Sequence, residues 1–282
     1  MIGFELVVPR SEEEALAALR SVPAGAATVI AGGTDLLFDL DRGRVTPQRV
    51  VSLRRLPWRT LDWTGGALTI GSTLPLRLLE RDPDLPSRFP ALAQALGAVG
   101  GVALRWHATL GGNLGRSAPA SDLIPVLLAL DAEVELTSPN GVRTVPVDRF
   151  VRASRDTELG RAELIRAIRL PEPRPSAYLW QRVRPVNDVS QVAVAVAYSP
   201  SDRRWRVILG GMPPRPQRVE DPADPLTGLE PPSEQVARYA ERVSGHPGLV
   251  GDRRASDEHR RRLAATLFLR AIRSAQRAGR SP

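Results

Sequence analysis

Two double-glycine segments constrain the fold of this chain more than any other feature of its sequence. The first glycine segment, Ala31-Gly32-Gly33-Thr34-Asp35, directly follows the apolar run 27–30, and the second is Thr109-Leu110-Gly111-Gly112-Asn113. Glycine has no Cβ, so its backbone can bend close to a ligand, and the neighbouring threonines add hydroxyl donors. A single glycine pair is more often a plain turn. Two such segments can close on a diphosphate from opposite sides, which predicts a dinucleotide clamp without a Rossmann fingerprint.

The expected strength of this clamp follows from its hydrogen-bond donors. A strand that stops at the first glycine segment and continues into a helix presents free N–H groups, where an anion is favoured. Asn113 offers an amide that can donate to phosphate or brace its own segment. Four donors at about 1.5–3 kcal/mol each are enough for micromolar binding once association costs are subtracted. Asp122 has two equally weighted interpretations, an acceptor for sugar hydroxyls or the N-cap of a helix beginning at Leu123.

Composition excludes several classes of function. The 282 residues can form one large or two to three small domains, with 42% hydrophobic and 25% charged residues. The chain has no cysteine, so it carries no disulfide, no cysteine-ligated iron–sulfur cluster and no thiol nucleophile. Three histidines, two of them near the C-terminus, do not predict a metal site. Without a signal-like or membrane-length apolar run, we expect a cytoplasmic protein with no membrane span.

The net charge of +8 raises the question of nucleic-acid binding. All 39 basic residues are arginine, which is typical of a genome-wide preference or a heat-adapted surface rather than of a binding code. The densest basic stretch, 253–280, is interpreted as a solvated helix face, with a docking face for an acidic partner subunit as an open alternative. We therefore predict no nucleic-acid partner.

Periodicity and turn signals divide the chain into three segments of α+β structure. Residues 1–55 are predicted to form a small α/β lobe, 56–175 a second α+β lobe, and 176–282 a C-terminal domain of antiparallel sheet plus helices. Ser11 and Glu14 fit a capping box, and Asn140-Gly141 predicts a tight hairpin turn. The second glycine segment is interpreted as a loop, followed by a helix over 123–130. The proline-rich stretch 171–175 marks the last boundary.

Five dispersed motifs occur in an order and spacing that resemble one family. They are the first glycine segment, the second glycine segment together with Arg105-x-x-Ala108 directly before it, Ser121-Asp122-Leu123, Leu209-Gly210-Gly211-Met212 and Arg260-Arg261-x-Leu263-Ala264. Together they span nearly the whole chain. The pattern resembles the FAD-binding medium subunit of molybdenum hydroxylases, the relatives of xanthine dehydrogenase, aldehyde oxidase and carbon monoxide dehydrogenase.

The resemblance implies a fold, a cofactor and a set of contacts. The implied fold is a two-lobed PCMH-type, vanillyl-alcohol-oxidase-like FAD-binding domain, followed by a small C-terminal sheet-plus-helices domain. The implied cofactor is FAD, with both glycine segments on its pyrophosphate. The cofactor-binding residues expected on this basis are Val29, Ile30, Ala31, Gly32, Gly33, Thr34, Asp35, Leu36, Val99, Thr109, Leu110, Gly111, Gly112, Asn113, Asp122, Ile165 and Trp180.

The chain departs from the family pattern at two tryptophans. Trp106 stands where relatives often have asparagine, and Trp180 stands where many have a lysine near the flavin. For Trp180 we favour sheet packing over a changed flavin edge. Arg184 and Asp188 fit the family's arginine-then-aspartate spacing and suggest an ion pair that braces two lobes.

The resemblance also implies a division of labour among subunits. A molybdenum-cofactor large subunit hydroxylates the substrate, an iron–sulfur small subunit relays electrons, and FAD in this chain passes them to NAD or a quinone-like acceptor. No catalytic residue is predicted here, because the protein only orients the cofactor and tunes its electrostatics. The alternatives are a stand-alone FAD-dependent reductase or oxidase of the same fold, for which His107 is the candidate proton donor, and a flavin-free basic binding module.

Overall fold

The computed structural model describes residues 3–184, 188–220 and 223–280, and its first sheet lies at the N-terminal end of the chain. Three parallel strands, in the order β1-β3-β2, form this sheet. Half of the predicted capping box at α1 is present, since the Ser11 hydroxyl accepts from the Glu14 N–H at 3.2 Å. The Glu14 carboxylate reaches back to the N–H of Arg10 at 2.7 Å, one residue before the expected partner Ser11. Two helices connect the strands, as parallel pairing requires. The elements are β1 (Glu5–Val7), α1 (Glu12–Arg20), β2 (Ala27–Ile30), α2 (Leu36–Asp41) and β3 (Arg49–Ser52).

A five-stranded antiparallel sheet forms the second lobe, in the order β4-β5-β10-β6-β7. The predicted hairpin is confirmed, since Gly141 follows the turn with φ +111° and pairs with Ser138. Helices cover one face of the sheet and bury the largest core. The elements are β4 (Leu61–Thr64), β5 (Ala67–Gly71), α3 (Leu76–Glu80), α4 (Leu85–Arg88), α5 (Pro90–Ala98), α6 (Val102–Arg105), α7 (Leu110–Arg116), α8 (Leu123–Ala129), β6 (Glu133–Ser138), β7 (Gly141–Pro146), α9 (Val147–Phe150), β8 (Val151–Ala153), β9 (Asp156–Thr157) and β10 (Leu164–Leu170).

The C-terminal region contains a four-stranded antiparallel sheet, in the order β11-β12-β13-β14, with two helices packed on it. Alanine and valine side chains alternate along β12, and successive side chains point to opposite faces of a sheet. The strand therefore contributes residues to two hydrophobic cores, one on each face. Its alanines 193, 195 and 197 join the core of the second lobe, and its valines 192, 194 and 196 join the core under the helices. The elements are β11 (Ser176–Gln181), β12 (Val192–Ser199), β13 (Arg204–Gly210), β14 (Gln217–Arg218), α10 (Ser233–Ser244) and α11 (Asp257–Arg280).

These sheets confirm the α+β prediction. Each sheet lies within one of the three predicted segments, 1–55, 56–175 and 176–282, whose outer bounds at 1 and 282 fall outside the described residues. We keep the boundaries at 55 and 175 as a prediction about domains. Strand β4 was not predicted, because the short half-exposed run 61–64 carries little apolar periodicity.

The basic stretch 253–280 is only partly a solvated face. Arg262, Arg270 and Arg273 are exposed on α11, as the solvated interpretation expects. Arg260, in contrast, is 2% exposed. Its Nη1 donates to the Gln191 carbonyl at 2.5 Å, and its Nη2 pairs with Asp252 at 2.7 Å. Arg260 therefore has a structural role, joining α11 to the start of β12.

Candidate cofactor site

A cleft of about 530 Å³ lies between the first two lobes, and both glycine segments line it. The first segment connects β2 to α2, and the second begins α7. Apolar side chains from both lobes complete the wall, among them Val99, Leu104 and Ile165. The cleft thus combines a polar backbone region with an apolar wall, as a site for a ligand with an anionic and an aromatic part requires.

The first glycine segment lies in direct backbone contact with the second lobe. A Cβ on Gly32 would stand 1.8 Å from the carbonyl oxygen of His107, an overlap that no side chain tolerates. Gly33 adopts φ +78°, the left-handed region that favours glycine. The two glycines are therefore needed for different reasons, the first for close approach and the second for backbone conformation.

The second glycine segment is the first turn of helix α7, so its interpretation as a loop was wrong. The Thr109 hydroxyl caps this helix and accepts from the Gly112 N–H at 3.0 Å. A Cβ on Gly111 would stand 2.6 Å from the Cβ of Ser72 and 2.7 Å from its carbonyl oxygen. Gly111 lets the helix start pack directly on the chain after β5. Glycine's low helix propensity concealed this helix in the sequence.

The backbone of both segments keeps hydrogen-bond donors for a ligand. Within residues 3–184, 188–220 and 223–280, the N–H groups of Gly32, Gly33, Thr34 and Gly111 donate to no protein acceptor. Backbone N–H groups left without a partner in a cleft are satisfied by water or by a ligand. The glycine cradle and these donors fit the diphosphate of a dinucleotide, which is the part of FAD that needs close backbone approach.

Asn113 is oriented by a neighbour rather than free to rotate. Its Oδ1 accepts from the Ser121 hydroxyl at 2.6 Å, which directs the amide group in the cleft wall. The Ser121 oxygen also accepts from the N–H groups of Leu123 and Ile124, each at 3.2 Å. Ser121 therefore caps α8, and the N-cap interpretation of the Asp122 side chain was wrong: Asp122 occupies the position without making the bond.

The structure brings most of the predicted contacts together. Fourteen of the seventeen line the cleft, namely Val29, Ile30, Ala31, Gly32, Gly33, Thr34, Asp35, Leu36, Val99, Thr109, Gly111, Gly112, Asn113 and Ile165. Leu110, Asp122 and Trp180 are not among its lining residues. Leu110 is fully buried in the core beneath the second segment. Lining the cleft is not the same as contacting FAD, so the assignment of all seventeen residues as cofactor contacts stays a prediction.

The Asp122 carboxylate is hydrogen-bonded by side chains of the C-terminal region. Its Oδ1 accepts from the Tyr178 hydroxyl at 2.6 Å and from Ser190 at 3.1 Å, and its Oδ2 pairs with Arg182 at 2.6 Å. Burial raises the pKa of Asp122, and the hydrogen bonds and the Arg182 charge oppose that shift. Burial, followed by the Asp122 charge, raises the pKa of Tyr178 well above its usual value. The phenol therefore stays protonated and donates.

The lobe-bracing ion pair differs from the one expected. Arg184 Nη2 lies 3.7 Å from Asp188 Oδ1, and the two residues are four positions apart in the chain, so this ion pair is local. Arg182 makes an ion pair between the second lobe and the C-terminal region, and it also donates to the Ala98 carbonyl at 2.9 Å, next to Val99 in the cleft wall. Spacing alone did not distinguish these two arginines.

The two tryptophan departures lie outside the cleft lining. Trp180 stacks on Tyr178 with ring centroids 5.4 Å apart, and the Arg182 guanidinium lies 5.7 Å from its ring. This agrees with sheet packing, the interpretation we favour. Trp106 is 41% exposed beside Arg81, whose guanidinium lies 6.0 Å from the ring. His107 has an exposed side chain that does not line the cleft; its carbonyl makes the contact with Gly32.

Sequence reasoning missed an ion pair at the cleft. Asp39, 1% exposed, accepts from Arg116 Nη1 across the two lobes, and both residues line the cleft. The hydrogen bond from Arg116, aided by the charges of Arg116 and Arg155, lowers the pKa of Asp39 despite the opposing effect of burial. A buried pair between residues 77 positions apart leaves no local signal in a sequence.

Comparison with known proteins places this architecture in a family. Residues 2–173 match the model of the FAD binding domain in molybdopterin dehydrogenase, and residues 177–275 match the CO dehydrogenase flavoprotein C-terminal domain. The chain therefore belongs to the family of FAD-binding subunits of molybdopterin dehydrogenases. Its cofactor is FAD, and it is a flavin subunit of the molybdenum hydroxylase type of oxidoreductase, as its sequence predicted.

Individual relatives agree with this assignment over most of their length. The chain is 29% identical over 249 residues to the nicotine 6-hydroxylase medium subunit of Paenarthrobacter nicotinovorans, covering 86% of this chain and 88% of that one. It is 26% identical over 278 residues to the carbon monoxide dehydrogenase medium chain of Hydrogenophaga pseudoflava, covering 96% of each. A quinoline 2-oxidoreductase structure from Pseudomonas putida 86 superposes with a TM-score of 0.86 at 26% identity, covering 98% of each chain.

None of the helices in the described part of the chain has the length and apolarity needed to span a membrane.

Proposed function

We propose that this chain is the electron-exit subunit of a molybdenum hydroxylase complex. It takes electrons from an iron–sulfur small subunit and passes them to NAD or a quinone-like acceptor, while a molybdenum-cofactor large subunit hydroxylates the substrate. The observation that carries this proposal is the pair of glycine segments that line one cleft, each with backbone N–H groups that have no acceptor among the described residues. The kinship of the chain with medium subunits supports the same role.

The proposed cofactor contacts divide into a polar and an apolar set. Gly32, Gly33 and Gly111 offer backbone N–H groups to the diphosphate, with the oriented amide of Asn113 beside them. Val99 and Ile165 provide apolar surface that excludes water from an aromatic ring. Bound FAD supplies the redox chemistry, because it accepts electrons singly or in pairs. The residues of this chain hold and orient it.

The electron donor in this proposal belongs to another chain. This chain has no cysteine, so it cannot hold a cysteine-ligated iron–sulfur cluster of its own. The stand-alone reductase alternative needs a proton donor at the flavin, and His107, the candidate for that role, is exposed and outside the cleft lining. The subunit proposal requires no acid–base residue in the chain.

The test begins with the purified chain expressed alone and with its neighbours in the complex. We expect FAD, identified after denaturation, at about one per chain, and co-purification with proteins that carry molybdenum and iron–sulfur clusters. In the complex, oxidisable substrate bleaches the flavin absorbance, and NAD or a quinone restores it. Bleaching by an organic substrate in the isolated chain would support the stand-alone alternative. A chain that takes up no FAD and binds nucleic acid in a salt-sensitive way would support the binding module.

A further inference from the structure

The buried carboxylate of Asp39 joins the two lobes that form the cleft. Asp39 lies on α2 of the first lobe, and its side chain is 1% exposed. From the second lobe, Arg116 pairs with Oδ2, and Arg155 Nη2 lies 3.9 Å from the same oxygen. Arg44, which follows α2, pairs with Oδ1 at 3.4 Å. One carboxylate therefore meets three guanidinium groups, two of them from across the cleft.

The Asp39–Arg116 pair connects the two helices that carry the glycine segments. Helix α2 follows the first glycine segment directly, and Asp39 lies one turn along it. Helix α7 begins with the second glycine segment, and Arg116 is its last residue. Each member of the pair is thus fixed to one glycine segment by a short stretch of helix. A change in the pair moves one segment relative to the other.

We propose that Asp39 and Arg116 form a latch that sets the distance between the two glycine segments and thereby the affinity for FAD. Both are positioning residues in this role. The inference rests on the proposed placement of the FAD diphosphate between the glycine segments. It adds residues that the sequence did not assign and that act through the backbone donors.

Burial makes the latch sensitive to geometry. The Arg116 side chain is 24% exposed, so water screens the pair less than it screens an exposed one. Arg116 Nε also lies 3.6 Å from Asp35, at the end of the first glycine segment. Removing Arg116 leaves buried Asp39 with only its longer contacts to Arg44 at 3.4 Å and Arg155 at 3.9 Å. Removing the Asp39 charge leaves Arg116 with only Asp35 at 3.6 Å, and in both cases the loss of the short buried contact favours rearrangement of the helices.

A charge effect and a latch make different predictions for Asp39→Asn and for the double variant. Asp39→Asn leaves the cleft more positive, and Arg116→Gln leaves it less positive. If only the net charge mattered, the first variant would bind the FAD diphosphate more tightly and the second more weakly. The double variant Asp39→Asn/Arg116→Gln would then bind as the wild type does. If the pair acts as a latch, all three variants break it, and all three bind FAD more weakly than the wild type does.

The experiment titrates FAD into each apoprotein and follows flavin fluorescence, with thermal unfolding recorded alongside. We expect the FAD Kd to rise at least tenfold in both single variants, and the double variant to be no better than either. The exposed pair Glu258–Arg262 on α11 is the matched control, and Glu258→Gln/Arg262→Gln keeps the wild-type Kd. If Arg116→Gln fails to fold, Arg116→Lys keeps the charge while losing the fork geometry, and an intermediate rise is expected.

Three results overturn the inference. They are opposite shifts in the two single variants, wild-type affinity in the double variant, and lowered thermal stability with unchanged FAD Kd in every variant, which would make the pair merely structural. Failure of the wild-type chain to bind FAD refutes the proposed site instead, so the two failures are distinguishable.

Discussion

Replacing Gly32 with alanine tests the central feature of the site, the close approach of the two lobes. The added Cβ would lie 1.8 Å from the His107 carbonyl oxygen and 2.6 Å from its carbon. Relief to ordinary contact at about 3.5 Å requires the first glycine segment to move back by roughly 1.7 Å. That movement widens the cleft and separates the N–H donors that must converge on the diphosphate. Both neighbours of the clash are backbone, so no side-chain rotation can absorb it.

The magnitude follows from the cost of overpacking. Inserting a methyl group into a packed site costs about 1–3 kcal/mol, which corresponds to about a 5- to 150-fold weaker FAD Kd if the bound state carries the strain. The assay is fluorescence titration of the apoprotein with FAD. Gly97 is the matched control, because it occupies an exposed position on helix α5 and a Cβ there would meet nothing within 4 Å. Gly97→Ala keeps the wild-type Kd and gains a little helix stability.

One result would refute this reasoning. If Gly32→Ala binds FAD as tightly as the wild type, with an unchanged melting temperature, the contact with His107 does not set the geometry of the cleft. A lowered melting temperature with unchanged affinity would show that the contact holds the lobes together without positioning the cofactor.

Three further predictions concern residues around the cleft and the domain junction. Tyr178→Phe removes the donor to buried Asp122 and lowers the free energy of unfolding by about 1–3 kcal/mol in denaturant titration; Tyr198→Phe is the control, since its hydroxyl donates to no group in the described residues. Because Arg116 holds the pKa of Asp39 below its usual range, the Asp39 carboxylate stabilises the fold above roughly pH 4, and this stabilisation is lost as the pH falls further. As the pH is lowered into the acid range, the free energy of unfolding therefore falls less steeply for Asp39→Asn than for the wild type. Equal slopes of the free energy of unfolding against pH contradict the assignment. His107→Ala keeps FAD affinity and electron transfer in the complex, because this residue does not line the cleft and only its backbone carbonyl meets Gly32; a large loss of turnover would revive the stand-alone alternative.

The parts of the site that sequence could predict are those with local requirements. The glycine pair at 31–35 follows a β-branched strand, and the pair at 109–113 follows Thr109 and Leu110. Each pair indicates a backbone constraint within a few residues, so both segments were identifiable from the sequence alone. Their secondary structure was harder to predict. The second segment starts a helix because Thr109 caps it and Ser72 packs against it, and glycine's low propensity argues against a helix there.

Side-chain partners across the lobes could not be predicted, because they depend on how separate elements pack. Ser121 and Asp122 are adjacent, and either can cap α8 on local grounds. The tertiary structure determines which of the two caps the helix. Tyr178 on β11 and Arg182 just after it donate to the Asp122 carboxylate, and the Ser121 hydroxyl accepts from the first N–H groups of α8. Arg182 and Arg184 present the same problem, since only the strand register shows which of them reaches Asp122.

The same reasoning explains why the cleft needs two kinds of connection between its lobes. The contact of Gly32 with His107 limits how far the first segment can approach the second, because backbone atoms cannot overlap. The Asp39–Arg116 pair limits how far the two can separate, because opening the cleft breaks a buried ion pair. A steric limit on one side and an attractive limit on the other define a narrow range of widths. Rigid N–H donors bind a diphosphate tightly only within such a range, since hydrogen bonds weaken steeply when their geometry is lost.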